Sequence, residues 1–121
     1  DDDTMFESFY LRPTNGRNCT DPVRRLHGCQ YFSYPQYTFE YFRNNNITCY
    51  ESKADIDLDE WIDLKAIIKN ERAEFYINNN DQPTLVVNNL IHGDNKRGSV
   101  GLFVDIGTEG FFKDLEITCL D

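Results

Sequence analysis

Long apolar runs are missing from this chain of 121 residues. No stretch approaches the ~18 consecutive apolar residues that a membrane-spanning helix requires. Positive charge is in deficit: 12 Lys and Arg stand against 21 Asp and Glu, for a net charge of −9. A surface of that sign repels phosphate backbones, and the basic residues are scattered, so nucleic acid is excluded as a partner and anionic membranes are disfavoured. There is no Cys-x-x-Cys pair, which argues against a zinc knuckle. The two histidines, His27 and His92, are too few for a metal triad, and His92 stands in a His-Gly-Asp turn. A nucleophile elbow is absent, which removes a Ser-His-Asp hydrolase. No window carries the helical period, and nothing repeats. The first residues, Asp1, Asp2 and Asp3, are not a basic and then apolar leader, so any leader is expected to have been removed or never encoded.

What is present is a globular composition, 40% hydrophobic and 14% aromatic, sufficient for one packed domain. The dominant period is two. In 61–70, Ile62, Leu64, Ala66 and Ile68 fall on one face and Asp63, Lys65 and Lys69 on the other; in 71–78, Ala73, Phe75 and Ile77 alternate with Glu74, Tyr76 and Asn78. Val100, Leu102, Val104 and Ile106 continue the alternation, followed by Phe111, Leu115 and Ile117. Such alternation predicts half-buried antiparallel strands, separated by turns at 44–46, 78–83, 93–98 and 107–110. Aromatic-rich strands are expected at 4–12 and 36–42, joined by a long loop over 13–35, with a solvated acidic turn at 55–60. The glycines at 98, 101, 107 and 110 precede no helix, so they read as scaffold and not as a phosphate cradle. The predicted class is all-β, an antiparallel twisted sheet or sandwich.

Four cysteines, Cys19, Cys29, Cys49 and Cys119, allow three disulfide pairings, and spacing does not choose among them. A Cys19–Cys29 pair would clip the long loop, and Cys49 and Cys119 would meet if their strands are neighbours; four reduced thiols are the alternative. Two Asn-x-Thr triplets, at Asn18 and Asn46, point with them toward a secreted, periplasmic or otherwise extracytoplasmic location.

The order of the segments WIDLKAI (61–67), AEFYIN (73–78), PTLVV (83–87), GSVGL (98–102) and FKDLEI (112–117) resembles the C-terminal part of a concanavalin A-like lectin/glucanase jelly roll, its laminin-G-like branch included. ESFYLRP (7–13) and HGCQY (27–31) resemble segments of a secreted branch of that superfamily. The resemblance implies a single β-sandwich domain over 1–121 that lacks the N-terminal strands of the full domain. It further implies a second chain or symmetry mate that completes the sheets, because unpaired edges invite association. Calcium is left open through loop oxygens of Asp94, Asp105 and Glu109, since members of the superfamily often bind it; no other cofactor is required.

The residues that carry chemistry are few. On 4–12, Ser8, Tyr10 and Arg12 share one face, and Met5, Glu7, Phe9 and Leu11 the other. An aromatic platform with convergent polar groups is what a neutral polyol needs, so Tyr10, Arg12, His27, Gln30, Tyr31 and Tyr34 are the candidate ligand-binding residues. Glu7, among apolar neighbours, is expected to be either buried and paired, with Arg24 or Arg25 as candidate partners, or placed by a bulge in the strand. Glycoside hydrolysis needs two carboxylates across a cleft; Glu40 and Glu7 are weak catalytic candidates, and the Glu-x-Asp-x-(x)-Glu run of the glucanase branch is absent. The leading expectation is therefore a secreted carbohydrate-binding or non-catalytic module. A glycoside hydrolase with part of its acid pair outside this chain, and a structural or protein-interaction module, are the alternatives.

Overall fold

A computed structural model describes residues 6–91, 100–102, 104 and 108–118. Six strands and two short helices are present among them. β1 (Phe6–Leu11) leads through a 3-10 turn at Pro13–Asn15 to α1 (Pro22–Arg25), then to β2 (Cys29–Tyr34), α2 (Phe39–Asn44) and β3 (Glu51–Ser52). β4 (Leu64–Lys69), β5 (Arg72–Ile77) and β6 (Leu85–Val87) follow. They form two open antiparallel sheets of three strands, ordered β1-β2-β3 and β4-β5-β6.

This corrects the all-β expectation. The described chain is a small mixed α/β fold with two separate open sheets, and it is not a closed jelly-roll sandwich. Two local causes account for the helices, and a further departure stands beside them. The segment 36–42 becomes a helix because Thr38 is extended and starts a turn with Glu40 near its N-terminus and Arg43 in its last turn, the arrangement a helix dipole favours. Phe42 is thereby buried on one side, and a six-residue window does not separate period 2 from period 3.6. The predicted loop 13–35 also ends in a strand. Asp21 caps α1 by accepting from the amides of Val23 and Arg24, with Pro22 at the first position, and the chain then turns at His27 into β2. Finally, the described residues of 100–118 form no strand, although their alternation predicts two.

Where strands were predicted and formed, the side-chain parity is as expected. β1 pairs with β2 so that Tyr10 faces Gln30 and Phe9 faces Tyr31. In the second sheet Ala73, Phe75 and Ile77 are buried, and they pair with Ile68, Ala66 and Leu64 on the same face. Those β4 residues are exposed, and β4 is an edge strand of its sheet. The core joins Cys29, Tyr31, Ala54, Ile56, Ala73, Phe75, Ile77, Leu85 and Val87. Phe9 stacks on Phe75 at 4.0 Å between ring centres, which fastens one sheet to the other. A polar stitch runs beside it: the Ser52 hydroxyl donates to the Thr84 carbonyl at 2.6 Å, so the Cys29 thiol, 2.9 Å away, is the donor to Ser52.

The turns are made by residues that tolerate left-handed backbone. Asn70 (φ 57°) joins β4 to β5, and Asn78 and Asn79 (φ 53° and 58°) follow β5. Gly28 precedes β2 where an added Cβ would lie 2.7 Å from the Ala54 nitrogen, so a side chain there would push β2 away from the 54–56 segment.

No disulfide links the described cysteines: Cys19, Cys29 and Cys49 are free thiols, which corrects the expected bridges. The Cys29 thiol is occupied by Ser52, so it is not available to clip the loop. Cys119 lies outside the described residues. The acidic turn is exposed at Asp55, Leu58, Asp59 and Glu60, as expected, and Arg17 reaches Asp55 at 2.9 Å and Glu60 at 3.1 Å on that surface. Asn18 and Asn46 are both exposed. No helix among the described residues is long and apolar enough to cross a membrane.

Candidate functional site

Strand parity builds the site. In the first sheet one face looks inward and presents Glu7, Phe9 and Leu11 beside Tyr31 and Cys29. The outer face carries Phe6, Ser8 and Tyr10 beside Tyr34, Phe32 and Gln30, and then Glu51 on β3. Tyr10, Gln30 and Glu51 thus form one row across three strands. Arg12, just past β1, folds back onto that row.

Arg12 is the hub. Its Nη1 donates to the His27 carbonyl at 3.0 Å, while its Nη2 donates to the Gln30 Oε1 at 2.7 Å and to the Tyr10 hydroxyl. Tyr10 donates in turn to the same Gln30 oxygen at 3.0 Å. This fixes the amide orientation of Gln30: its oxygen must face the two donors, so its NH₂ faces away from β1. Gln30 is fully buried, and its Nε2 has no hydrogen-bond partner among the described residues.

On the next strand, Glu51 is paired but not satisfied. Its Oε2 lies 2.5 Å from His27 Nδ1, a charge contact that is attractive only with the proton on Nδ1. Its Oε1 lies 3.6 Å from Arg43 Nη2, at ion-pair but not hydrogen-bond distance, and it too lacks a hydrogen-bond partner. Phe39 of α2 closes the other side, with Arg12 5.8 Å and Arg43 5.2 Å from its ring centre. Beside this cluster, a pocket of about 240 Å³ is lined by Leu26, His27, Thr48, Glu51, Ser52 and Lys53.

Four of the expected ligand-binding residues, Tyr10, Arg12, His27 and Gln30, therefore meet. Two do not. Tyr31 is on the inner face, where its hydroxyl donates to Glu7 and accepts from the Ile91 amide at 2.9 Å. Tyr34 shares the outer face but stands two cross-strand pairs away and stacks on Phe6 at 5.1 Å. Glu7 is paired as expected, though with Tyr31 and not with Arg24 or Arg25; Arg25 instead donates to the Ala54 carbonyl. Glu40 is exposed on α2 and not on a strand. The structure adds Glu51, Arg43 and Phe39. Glu51 carried one readable signal, a carboxylate in the β-like run 47–51. Arg43 and Phe39 had none, since their placement depends on α2. Of the calcium candidates, Asp94 and Asp105 lie outside the described residues, as do His92 and Met5, and Glu109 is exposed. No group of three metal-ligating side chains occurs among the described residues.

Two acids under the site have raised pKa values, both chiefly through burial. The Cys29 thiol is pushed above its ordinary 9.0 by desolvation, and the Tyr31 phenol above its ordinary 10.0 by desolvation and the Glu7 carboxylate. Both groups are neutral when protonated, so the folded state holds these protons more tightly than the unfolded chain. Their contribution is complete below the ordinary values and is lost as pH rises from each ordinary value to the raised folded one. Urea unfolding should therefore show stability falling above pH 9, and more steeply above pH 10, each group contributing a slope of at most about 1.4 kcal/mol per pH unit. Cys29→Ala should remove the fall between pH 9 and 10; an unchanged profile in that variant would assign it elsewhere.

Comparison with known proteins gives no relative: no family model, no curated protein and no solved structure matches this chain.

Proposed function

We propose that the outer face of the first sheet binds carbohydrate without turning it over. One observation carries this reading. Gln30 Nε2 is a buried donor and Glu51 Oε1 a buried acceptor, both without hydrogen-bond partners, on residues that pair directly across β2 and β3. Leaving such groups unmade costs about 1–3 kcal/mol each. A hydroxyl answers both at once, accepting from the amide and donating to the carboxylate. A polyol offers hydroxyls at adjacent positions, and Tyr10 and Phe39 supply aromatic surface for the apolar face of a sugar ring. Hydrolysis is disfavoured on chemistry: among the described residues Glu51 is the one carboxylate in the cluster, whereas the acid pair of a glycosidase needs two about 5–10 Å apart.

The test is Gln30→Glu. This exchange keeps the oxygen that receives Arg12 and Tyr10 but replaces the unpartnered donor with an acceptor beside Glu51. Calorimetric titration with a panel of oligosaccharides should show affinity lowered at least about 10-fold, the equivalent of one hydrogen bond to a charged site. No saccharide binding by the wild-type protein, or equal affinity in Gln30→Glu, overturns the proposal. Release of shorter sugars during titration overturns its non-catalytic part.

A further inference from the structure

The chain is acidic, yet its charge is divided unevenly. Residues 12–53, which supply every side chain of the cluster except Tyr10, hold six basic residues (Arg12, Arg17, Arg24, Arg25, Arg43 and Lys53) against three acidic ones (Asp21, Glu40 and Glu51), a net +3 in a protein of net −9. The charges around the outer face are Arg12, Arg43 and Lys53, opposed among the described residues of the cluster by Glu51.

The two arginines are in different states. Arg12 is committed, with both terminal nitrogens donating to protein acceptors. Arg43 is not. Its side chain is 47% exposed, and among the described residues its guanidinium makes no hydrogen bond, since Glu51 is 3.6 Å away. Glu40, three residues earlier in α2, forms no ion pair with it there. Packing on Phe39 holds the guanidinium beside the row of Gln30 and Glu51 while leaving its donors open. A planar fork of free donors at the rim of a hydroxyl-reading row matches the two in-plane oxygens of a carboxylate bidentately.

We infer that the saccharide bound on this face carries a carboxylate: the ligand class is a uronate-containing glycan, its hydroxyls read by Gln30 and Glu51 and its carboxylate by Arg43. This rests on the carbohydrate reading of the same face and adds the identity of the sugar. Glu51 does not oppose it, because that carboxylate is only 6% exposed and lies against His27 and Arg43, whereas Arg43 is 47% exposed and its donors are free for the ligand.

The experiment uses an array of oligosaccharide pairs, each neutral chain matched by its uronate counterpart of the same length and linkage, with sulfated versions as a third arm. The uronate member of at least one pair should bind about 10-fold or more tighter than its neutral match at low ionic strength. That preference should shrink as salt is raised. Arg43→Gln should collapse the uronate-to-neutral ratio toward one, and Arg43→Lys should retain part of it. Equal binding of neutral and uronate members overturns this inference and leaves the carbohydrate reading in place, as does a ratio that survives Arg43→Gln. Sulfated chains that bind as tightly as uronates reduce the site to a general anion surface and overturn the inference as well. No binding by any member overturns both readings.

Discussion

Arg12→Ala is expected to abolish saccharide binding and to lower stability by about 3 kcal/mol. The guanidinium supplies donors to the His27 carbonyl, the Gln30 amide oxygen and the Tyr10 hydroxyl, and it lies 4.7 Å from the Tyr10 ring centre. Hydrogen bonds to a charged partner contribute roughly 1.5–3 kcal/mol each, but they share one side chain and do not add. The fully buried Gln30 retains only Tyr10 as a donor once Arg12 is gone, and its amide is then free to reorient. The unpartnered NH₂ no longer faces Glu51, so binding is lost with the orientation and not only with the charge. Arg12→Lys distinguishes the two contributions. A lysine restores the charge as a single point and cannot span three acceptors, so it should recover part of the stability and little of the binding. Denaturant unfolding and calorimetry on both variants measure this. A Lys variant with wild-type affinity would show that charge alone matters, and that the amide of Gln30 is not held by this contact.

Much of this cluster was legible from alternation, and the reasons for the rest are local. The parity of β1 placed Tyr10 and Arg12 together, and it set Glu7 and Phe9 on the opposite face, because a strand has a period of two whatever it pairs with. Applied to β2 the same rule separates Gln30 from Tyr31, but 13–35 was expected to be a loop, so the rule was not used there. Glu51 and Arg43 depend on tertiary contacts, His27 to Glu51 across two elements and Arg43 of α2 to Glu51 of β3, which strand alternation does not encode. The sandwich failed for a related reason. Apolar alternation over 100–106 and 111–117 states that one face of a strand would be apolar, and Val100, Leu102, Phe111, Leu115 and Ile117 are all exposed in the described structure. Alternation identifies a face that can be buried; closure of a sandwich also requires a partner sheet in register.

The heaviest stability effect belongs to the joint between the sheets. Phe75→Ala should destabilise the protein by about 3–5 kcal/mol, the range for truncating a buried phenylalanine. Phe75 is 5% exposed at the centre of β5, paired to Ala66 on one side and Leu85 on the other. Its ring lies nearly parallel to Phe9 of the first sheet, 10° between planes. That stack is the main aromatic bridge between two sheets whose strands otherwise form no shared ladder, so its removal weakens their docking as well as the local packing. Phe9→Leu provides the comparison: it keeps most of the apolar volume and loses the stack, and should cost about 1–2 kcal/mol. If the stack couples the sheets, the double variant should fall short of the sum of the two single effects by 0.5 kcal/mol or more, since either change alone already breaks the contact. Strict additivity in denaturant unfolding would mean that the sheets are held by the Cys29–Ser52–Thr84 stitch and the aliphatic core, and that the ring pair only fills space.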